Sequence, residues 1–370
     1  MKNVLLVMGT RPETIKLAPV CHALAGHPRL RARVALTGQH RGLLDQMTAF
    51  FGIEADHDLN VMTPGQDLFE VTSRVLLGMR DALKALAPDI VLVQGDTTTV
   101  MATALAAFYL DIPVGHVEAG LRTWNLRNPF PEELNRWVAD AASTLHFAPT
   151  DGAREALLRN GIAPGRIHVT GNTVTDALRI TLERLGDEPF AALDLASMGR
   201  VVLLTTHRRE SFGEPIRNTF RAVSQLMRRY PDLHVVFPVH PNPNVREAMD
   251  ACLPPSDRTH CLPPLDYPEF VKAMRDCTLV LTDSGGVQEE APSLGKPVLV
   301  LRETTERPEG VESGTARLVG TDPARIEAEA ARLLDDPAAY AEMAHAVNPY
   351  GDGHAAERIT AIVDDYLAGA

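Results

Sequence analysis

The sequence predicts an α/β fold made of two Rossmann-like, doubly wound domains, each a parallel sheet with helices on both faces. Three observations predict it. Short aliphatic, β-branched runs alternate along the chain with helical patterns. The runs are continuously apolar instead of alternating, the mark of strands buried on both faces. The pattern stops at Leu185–Gly199 (LGDEPFAALDLASMG), an acidic, small-residue connector, and then restarts. A length of 370 residues suits two domains at roughly 150 residues each.

The first strand is Asn3–Met8 (NVLLVM), ending in the turn Gly9-Thr10-Arg11-Pro12. A helix follows, with Pro12 in its first turn and Ile15, Leu17 and Ala18 on its inner side. Ala32–Thr37 is the next strand. Ile90–Gln94 (IVLVQ) is another, closed by Gly95-Asp96-Thr97-Thr98-Thr99 and followed by the helix Val100–Tyr109. Pro113–Val117 and Leu145–Ala148 complete the first set. After the connector, Val201–Thr205, His234–Phe237, Leu279–Thr282 and Val298–Leu301 repeat the theme, with a helical segment over Val287–Leu294. The expected domains are 1–172 and 173–351, with a terminal helix at about 352–370 packing back on the first.

Composition narrows the function. Lys and Arg total 36 against 48 Asp and Glu, a net charge of −12, so a global basic footprint for nucleic acid is absent. Aromatic residues make up only 5%, too few for a single-strand stacking platform. The four cysteines, Cys21, Cys252, Cys261 and Cys277, form no CxxC pair, which argues against structural zinc and for reduced thiols. The longest apolar stretch, Val100–Leu110, falls far below the ~20 residues that span a bilayer. The N-terminal apolar run meets a charged turn at once, unlike a secretory leader. A soluble, cytoplasmic protein without membrane or nucleic-acid partners is the expectation.

Ligands of doubly wound sheets sit beyond the carboxyl ends of the strands. The residues there are unusually rich in charge and glycine: Gly9–Arg11, Gly95–Thr99, His116–Gly120, His207–Glu210, His240–Asn242, Asp283–Gly286 and Arg302–Arg307. The first turn is GTRP and not GxGxxG, and no GxxxxGK[ST] occurs, so neither NAD nor a P-loop nucleotide is expected. Ser284-Gly285-Gly286 opens a helix and lets a phosphate approach the backbone. Glu290 returns to the same helix face one turn on, where it can accept ribose hydroxyls. His207-Arg208-Arg209 concentrates positive charge that an anion or Glu210 would offset. Arg11, Lys16, Arg302 and Arg307 add cations suited to a diphosphate. Asp96, Glu118 and Glu132 follow two strands and a proline-bounded loop; carboxylates gathered near one site raise each other's pKa and suit acid–base work. His116-x-Glu118 supplies two metal-type ligands and no third at helical spacing, which does not make a metal site.

These motifs resemble the non-hydrolysing UDP-N-acetylglucosamine 2-epimerases of bacteria. The resemblance runs through GTRPETIK (9–16), GDTTT (95–99), GHVEAGLRT (115–123), PFPEELNR (129–136), THRRESFGEP (206–215), PVHPNPNVRE (238–247), TDSGGVQEEAPSLGKPVLVLRETTERPEGV (282–311) and NPYGDG (348–353). It implies a GT-B arrangement, with the two domains facing a central cleft, and a homodimer that uses neither NAD nor metal. The implied reaction interconverts UDP-GlcNAc and UDP-ManNAc by eliminating UDP to 2-acetamidoglucal and adding it back. Carried over, Asp96, Glu118 and Glu132 are the carboxylates at the sugar, and His207 is the group at the departing UDP. Arg11 and Lys16 are cations on the UDP side. Ser284, Gly285 and Gly286 cradle phosphate, Glu290 takes the ribose, and Arg307 reaches the phosphates or sugar. Tyr267 and Phe270 fall where the family places its uracil pocket. Gln39, His40, Gln66, Arg209 and His240 match a second, allosteric UDP-GlcNAc site. The chain departs from the family pattern at Gly38 (usually Ala), Gly42 (usually polar), Gln94 (usually His), Trp124 (usually Gly) and Arg127 (usually Tyr). A hydrolysing relative releasing ManNAc and UDP, a GT-B glycosyltransferase and a silent nucleotide-sugar sensor are the alternative readings; the last predicts loss of the site carboxylates, all of which are present.

Overall fold

A computed structural model describes residues 1–38, 41–63, 65–208 and 211–369, without the side chains of Arg41 and Leu43. The chain divides into two compact units, Met1–Ile180 with Tyr350–Ala370, and Thr181–Pro349.

The first unit holds seven parallel strands: β1 (Lys2–Met8), β2 (Leu30–Leu36), β3 (His57–Asp58), β4 (Ile90–Gln94), β5 (Val114–Val117), β6 (Leu145–Ala148) and β7 (Ile167–Val169). Their order is β3-β2-β1-β4-β5-β6-β7. Val4–Met8 and Ile90–Val93 are completely buried, as their unbroken apolar sequence requires, because helices cover both faces. Each fully buried aliphatic side chain contributes about 1.5–3 kcal/mol. The terminal helix Ala355–Gly369 packs Ile359 and Val363 into the core formed by β1, β2 and the helix Arg11–Leu24.

The second unit holds β8 (Arg200–Thr205), β9 (Leu233–Pro238), β10 (Thr259–Leu262), β11 (Leu279–Thr282), β12 (Val298–Val300) and β13 (Ala316–Leu318). They are also parallel, in the order β10-β9-β8-β11-β12-β13. Phe220, Phe237, Leu204 and Leu281 centre its core.

Four strands escape the sequence reading: β3, β7, β10 and β13. All four are sheet edges. An edge strand is covered less completely, so it lacks the continuous apolar run; β10 (THCL) has no fully buried residue. The helix expected over Val287–Leu294 is instead an α-helix over Gly285–Glu290 that tightens to a 3₁₀ turn over Ala291–Leu294. Pro292 removes an amide donor there, which ends the α-helical ladder. The connector carries one 3₁₀ turn, Leu195–Ser197, after a helix that ends at Leu185.

In each sheet the strand order reverses beside the first strand, between β1 and β4 and between β8 and β11. Doubly wound sheets bind ligands beyond the carboxyl ends at such points. The turns there are Gly9–Arg11 and Gly95–Thr97 in one unit, and Thr206–Arg208 and Asp283–Gly285 in the other.

Candidate active site

In the first unit the two turns are tied together by a carboxylate. Glu13, in the first turn of the helix Arg11–Leu24, accepts the amides of Gly9 (2.5 Å) and Thr10 (2.7 Å), and also the Thr97 hydroxyl. Burial pushes its carboxyl up to about 7, against the lowering effect of these donors. Gly9 admits no side chain: a Cβ would meet the hydroxyls of Thr37 and Thr99 at 2.4 Å.

Asp96 is held from the helix Glu132–Ala142. Arg136 donates to its Oδ2 through Nε (2.9 Å) and Nη2 (2.7 Å), and Asn135 donates to its backbone oxygen (2.9 Å). Gly95, at φ +82°, turns the chain there. Its carbonyl accepts from Nε2 of His116 at 2.7 Å, while Nδ1 of His116 faces Asp140 at 2.6 Å. A carbonyl only accepts, so Nε2 carries a proton; a second proton on Nδ1 satisfies Asp140. Burial disfavours the charged ring, but the Asp140 charge and hydrogen bond overcome it, and the His116 pKa rises. Arg122 closes the set on Asp140 at 2.5 Å. Both His116 nitrogens are therefore engaged in the fold, and none is turned to a metal beside Glu118.

Glu118 is buried at φ +64°, a left-handed conformation that costs a non-glycine residue about 1–3 kcal/mol. Its carboxylate takes Lys16 Nζ at 2.5 Å, Asn172 at 3.2 Å and the Gln94 amide. Asp96 and Glu118 thus each meet a cation and side-chain amides. Glu132 is half-buried and has no hydrogen-bond or ion-pair partner among the described residues. Its neighbour Glu133 is fully buried and anchors the preceding loop through the amides of Thr123 and Trp124 and the Arg136 guanidinium. Arg11 is half-buried and likewise without a partner among the described residues.

The departure at Trp124 has a structural meaning. The position lies at φ +63°, where the family's usual glycine is at ease and a bulky residue is strained. Trp124 packs edge-on to Trp137 at 6.2 Å and lies under the Arg159 guanidinium at 4.9 Å. Gly38 also sits at positive φ, +71°.

In the second unit, Asp283 closes β11 and is completely buried. Its Oδ2 accepts from the Thr206 hydroxyl (3.0 Å) and from the amides of His207 (2.9 Å) and Arg208 (3.0 Å). Burial works to raise its pKa; the His207 side chain and these amides outweigh that and hold it below the usual carboxylate range. His207 is 43% exposed, and its ring stacks on that of His240 at 5.7 Å. Counter-charge for this basic turn comes from Asp283 and Glu306; Glu210, the partner expected from sequence, lies outside the described residues. Arg302 pairs with Glu306 at 2.8 Å, with Arg208 and Arg307 at 3.7 and 3.8 Å. Burial raises the Glu306 pKa, but the three arginines, led by Arg302, bring it down to about 2.

Arg307 lies against Gly285, where a Cβ would come within 3.2 Å of its guanidinium carbon, and its Nε donates to Glu289 at 2.9 Å. Ser284, Gly285 and Gly286 and this arginine thus share one end of the sheet. Tyr267 donates its hydroxyl to Glu290 at 2.8 Å, and both are buried. Phe270 is half-buried on the helix Tyr267–Asp276.

Gln66 serves its own loop, donating to the Val61 carbonyl and accepting from the Thr63 amide. Gln39, His40 and Arg209 lie outside the described residues. The sequence reading missed Glu13, Arg136 and Asn172, and it left Gln94, Asp283 and Glu306 without a role. Each stands at or beside a strand end or inside a quoted motif, which was the available signal.

The family model for UDP-N-acetylglucosamine 2-epimerase matches residues 22–364. The chain is 51% identical over 375 residues to a probable UDP-N-acetylglucosamine 2-epimerase of Ralstonia nicotianae, covering 100% of both. It is 50% identical over 368 residues to the UDP-N-acetylglucosamine 2-epimerase of Escherichia coli K12, covering 96% of this chain and 97% of that protein. Its structure is similar to the crystal structure of the Neisseria meningitidis UDP-GlcNAc 2-epimerase bound to UDP-GlcNAc. The TM-score is 0.91 and the identity 46%, over 98% of this chain and 100% of that one.

Proposed function

The chain belongs to the UDP-N-acetylglucosamine 2-epimerase family, and from that premise we propose that it interconverts UDP-GlcNAc and UDP-ManNAc without consuming water. The observation that carries the reading is the division of chemistry between the units. The first fixes two carboxylates, Asp96 and Glu118, in place with Arg136 and Lys16, and the Glu132 side chain has no partner among the described residues. The second gathers Arg307, the Ser284–Gly286 turn and the Tyr267–Glu290 pair, which suit phosphates and a ribose.

The hydrogen on C-2 of the sugar adjoins no carbonyl, so its removal to a free carbanion is too costly. Elimination avoids it. A carboxylate takes the C-2 hydrogen as a proton, the C1–C2 double bond forms, and the C1–O bond breaks with its electron pair leaving on UDP. Re-addition of UDP with protonation of the opposite face gives the epimer. The cations stabilise the leaving diphosphate, and the carboxylates exchange the proton. Asp96 and Glu118, each fixed beside a cation, and Glu132 are the carboxylates available for that exchange.

No helix among the described residues is long and apolar enough to cross a membrane. We place the enzyme in the cytoplasm, where Cys21, Cys252, Cys261 and Cys277 would stay free as they are here. We also propose a homodimer. Phe69, Leu77, Phe108 and Tyr109 project apolar surface from two neighbouring helices, Leu68–Leu86 and Thr98–Tyr109, and a second copy would cover it.

The test is proton NMR of the purified protein with UDP-GlcNAc in heavy water. UDP-ManNAc carrying deuterium at C-2 is the expected product. Free ManNAc plus UDP would move the chain to the hydrolysing class, and no turnover would overturn the proposal.

A further inference from the structure

We propose that Asp283 is a positioning residue for His207: it holds the Nδ1 proton of the imidazole and so leaves Nε2 as the nitrogen that meets the departing diphosphate. The inference rests on the function proposed above, and it begins with how the two carboxylate oxygens of Asp283 are used. Oδ2 gathers the turn after β8, accepting from the Thr206 hydroxyl, the His207 and Arg208 amides and the Ser211 hydroxyl (3.3 Å). That oxygen alone suffices to staple the turn. Among the described residues Oδ1 has no hydrogen bond, although it is fully enclosed. A buried carboxylate oxygen without a donor is costly. Nδ1 of His207 stands 3.2 Å from it in ion-pair contact, so a slight turn of the ring supplies the missing bond.

The remaining contacts limit what else the ring can do. Its face lies on His240 with the planes 22° apart, which restricts swinging about the side-chain torsions. Arg208 spends its Nε on the Asp283 carbonyl at 3.0 Å, fixing the backbone from which the carboxylate projects. Asp283 itself is enclosed completely while the His207 side chain is 43% exposed. A carboxylate sealed behind an exposed imidazole fixes its tautomer and orientation, and a single positioned donor of this kind contributes substantially to catalysis. In the doubly protonated ring Nε2–H donates to the diphosphate oxygen as its charge develops; in the neutral ring Nε2 is the free nitrogen facing it.

The test uses the full chain with ¹⁵N-labelled histidine, the His207 resonances being identified by their loss in H207Q. In the unsubstituted protein the neutral ring should carry its proton on Nδ1. A neutral Nε2–H tautomer would overturn the proposal without any variant of Asp283. D283N should shift the proton toward Nε2, lower kcat by tenfold or more and leave KM within about threefold, because ground-state contacts persist. A D283N protein with normal tautomer and kcat would also overturn it. If D283N does not fold, S211A removes one donor from Oδ2 only and should leave both the tautomer and kcat unchanged; loss of the Nδ1–H tautomer there would mean that Asp283 acts only as a staple. Absence of epimerisation by the unsubstituted protein would strike the functional reading and leave the tautomer result standing.

Discussion

Replacing Lys16 by Met should cost the first unit about 3–5 kcal/mol, most of it recovered when Glu118 is replaced by Gln in the same chain. Lys16 Nζ and Glu118 Oε1 are 2.5 Å apart, with side chains only 10% and 6% exposed. At an effective dielectric near 20, two unit charges this close attract by roughly 6–7 kcal/mol. Desolvation of both ions consumes much of that, so the pair adds little net stability over a neutral replacement. Removing one partner is different: it leaves an uncompensated buried charge, at about 3–5 kcal/mol. Asn172 and Gln94 remain on Glu118 and place the loss toward the lower end. The assay is a double-mutant cycle over K16M, E118Q and K16M/E118Q, read by urea unfolding. Both tryptophans, Trp124 and Trp137, lie in the first unit, so their fluorescence follows that unit selectively. The coupling should be at least about 2 kcal/mol. A value below about 0.5 kcal/mol would refute the argument that burial makes this pair strong, because exposed pairs already give that much.

Gly120, at φ +91°, has the Ala153 carbonyl oxygen 2.3 Å from where a Cβ would sit, and G120A should lower stability by roughly 3 kcal/mol, checked by the same unfolding signal. Glu13 binds its proton more tightly when folded, its pKa having risen from 4.5 to about 7, so stability should fall as pH climbs from about 4.5 to about 7 and level off above. E13Q should flatten that slope, by about 3 kcal/mol over the interval, and an unchanged slope in the variant would remove Glu13 as its source. E290A should weaken UDP binding about tenfold by calorimetry, since it removes the acceptor that Tyr267 orients; an unchanged dissociation constant would take Glu290 out of the ribose site. F69E or F108E should shift the chain to monomer by light scattering, and a persistent dimer would locate its interface elsewhere.

The sequence by itself determined the central strands, the strand-end turns and the family. A strand buried on both faces needs a continuous apolar run, as the middles of β1, β4, β8 and β11 have, and that shows in single-residue chemistry. The glycines and charges that crowd the strand ends likewise declared themselves in GTRP, GDTTT and DSGG, because ordinary turns carry milder residues. The edge strands escaped, because a half-covered ribbon such as β13 (ARL) has no local pattern of its own and forms only when β12 offers it a ladder. The partners of the charged residues escaped for a related reason. Lys16 and Glu118 are 102 residues apart, and Arg136 and Asp96 are 40 apart, so only the folded sheet brings them together. The neighbours Glu132 and Glu133 look interchangeable in the sequence. Helix phase buries Glu133 among amides and an arginine and leaves the Glu132 side chain half-buried with no partner among the described residues, and that difference in solvation and pairing exists only in three dimensions.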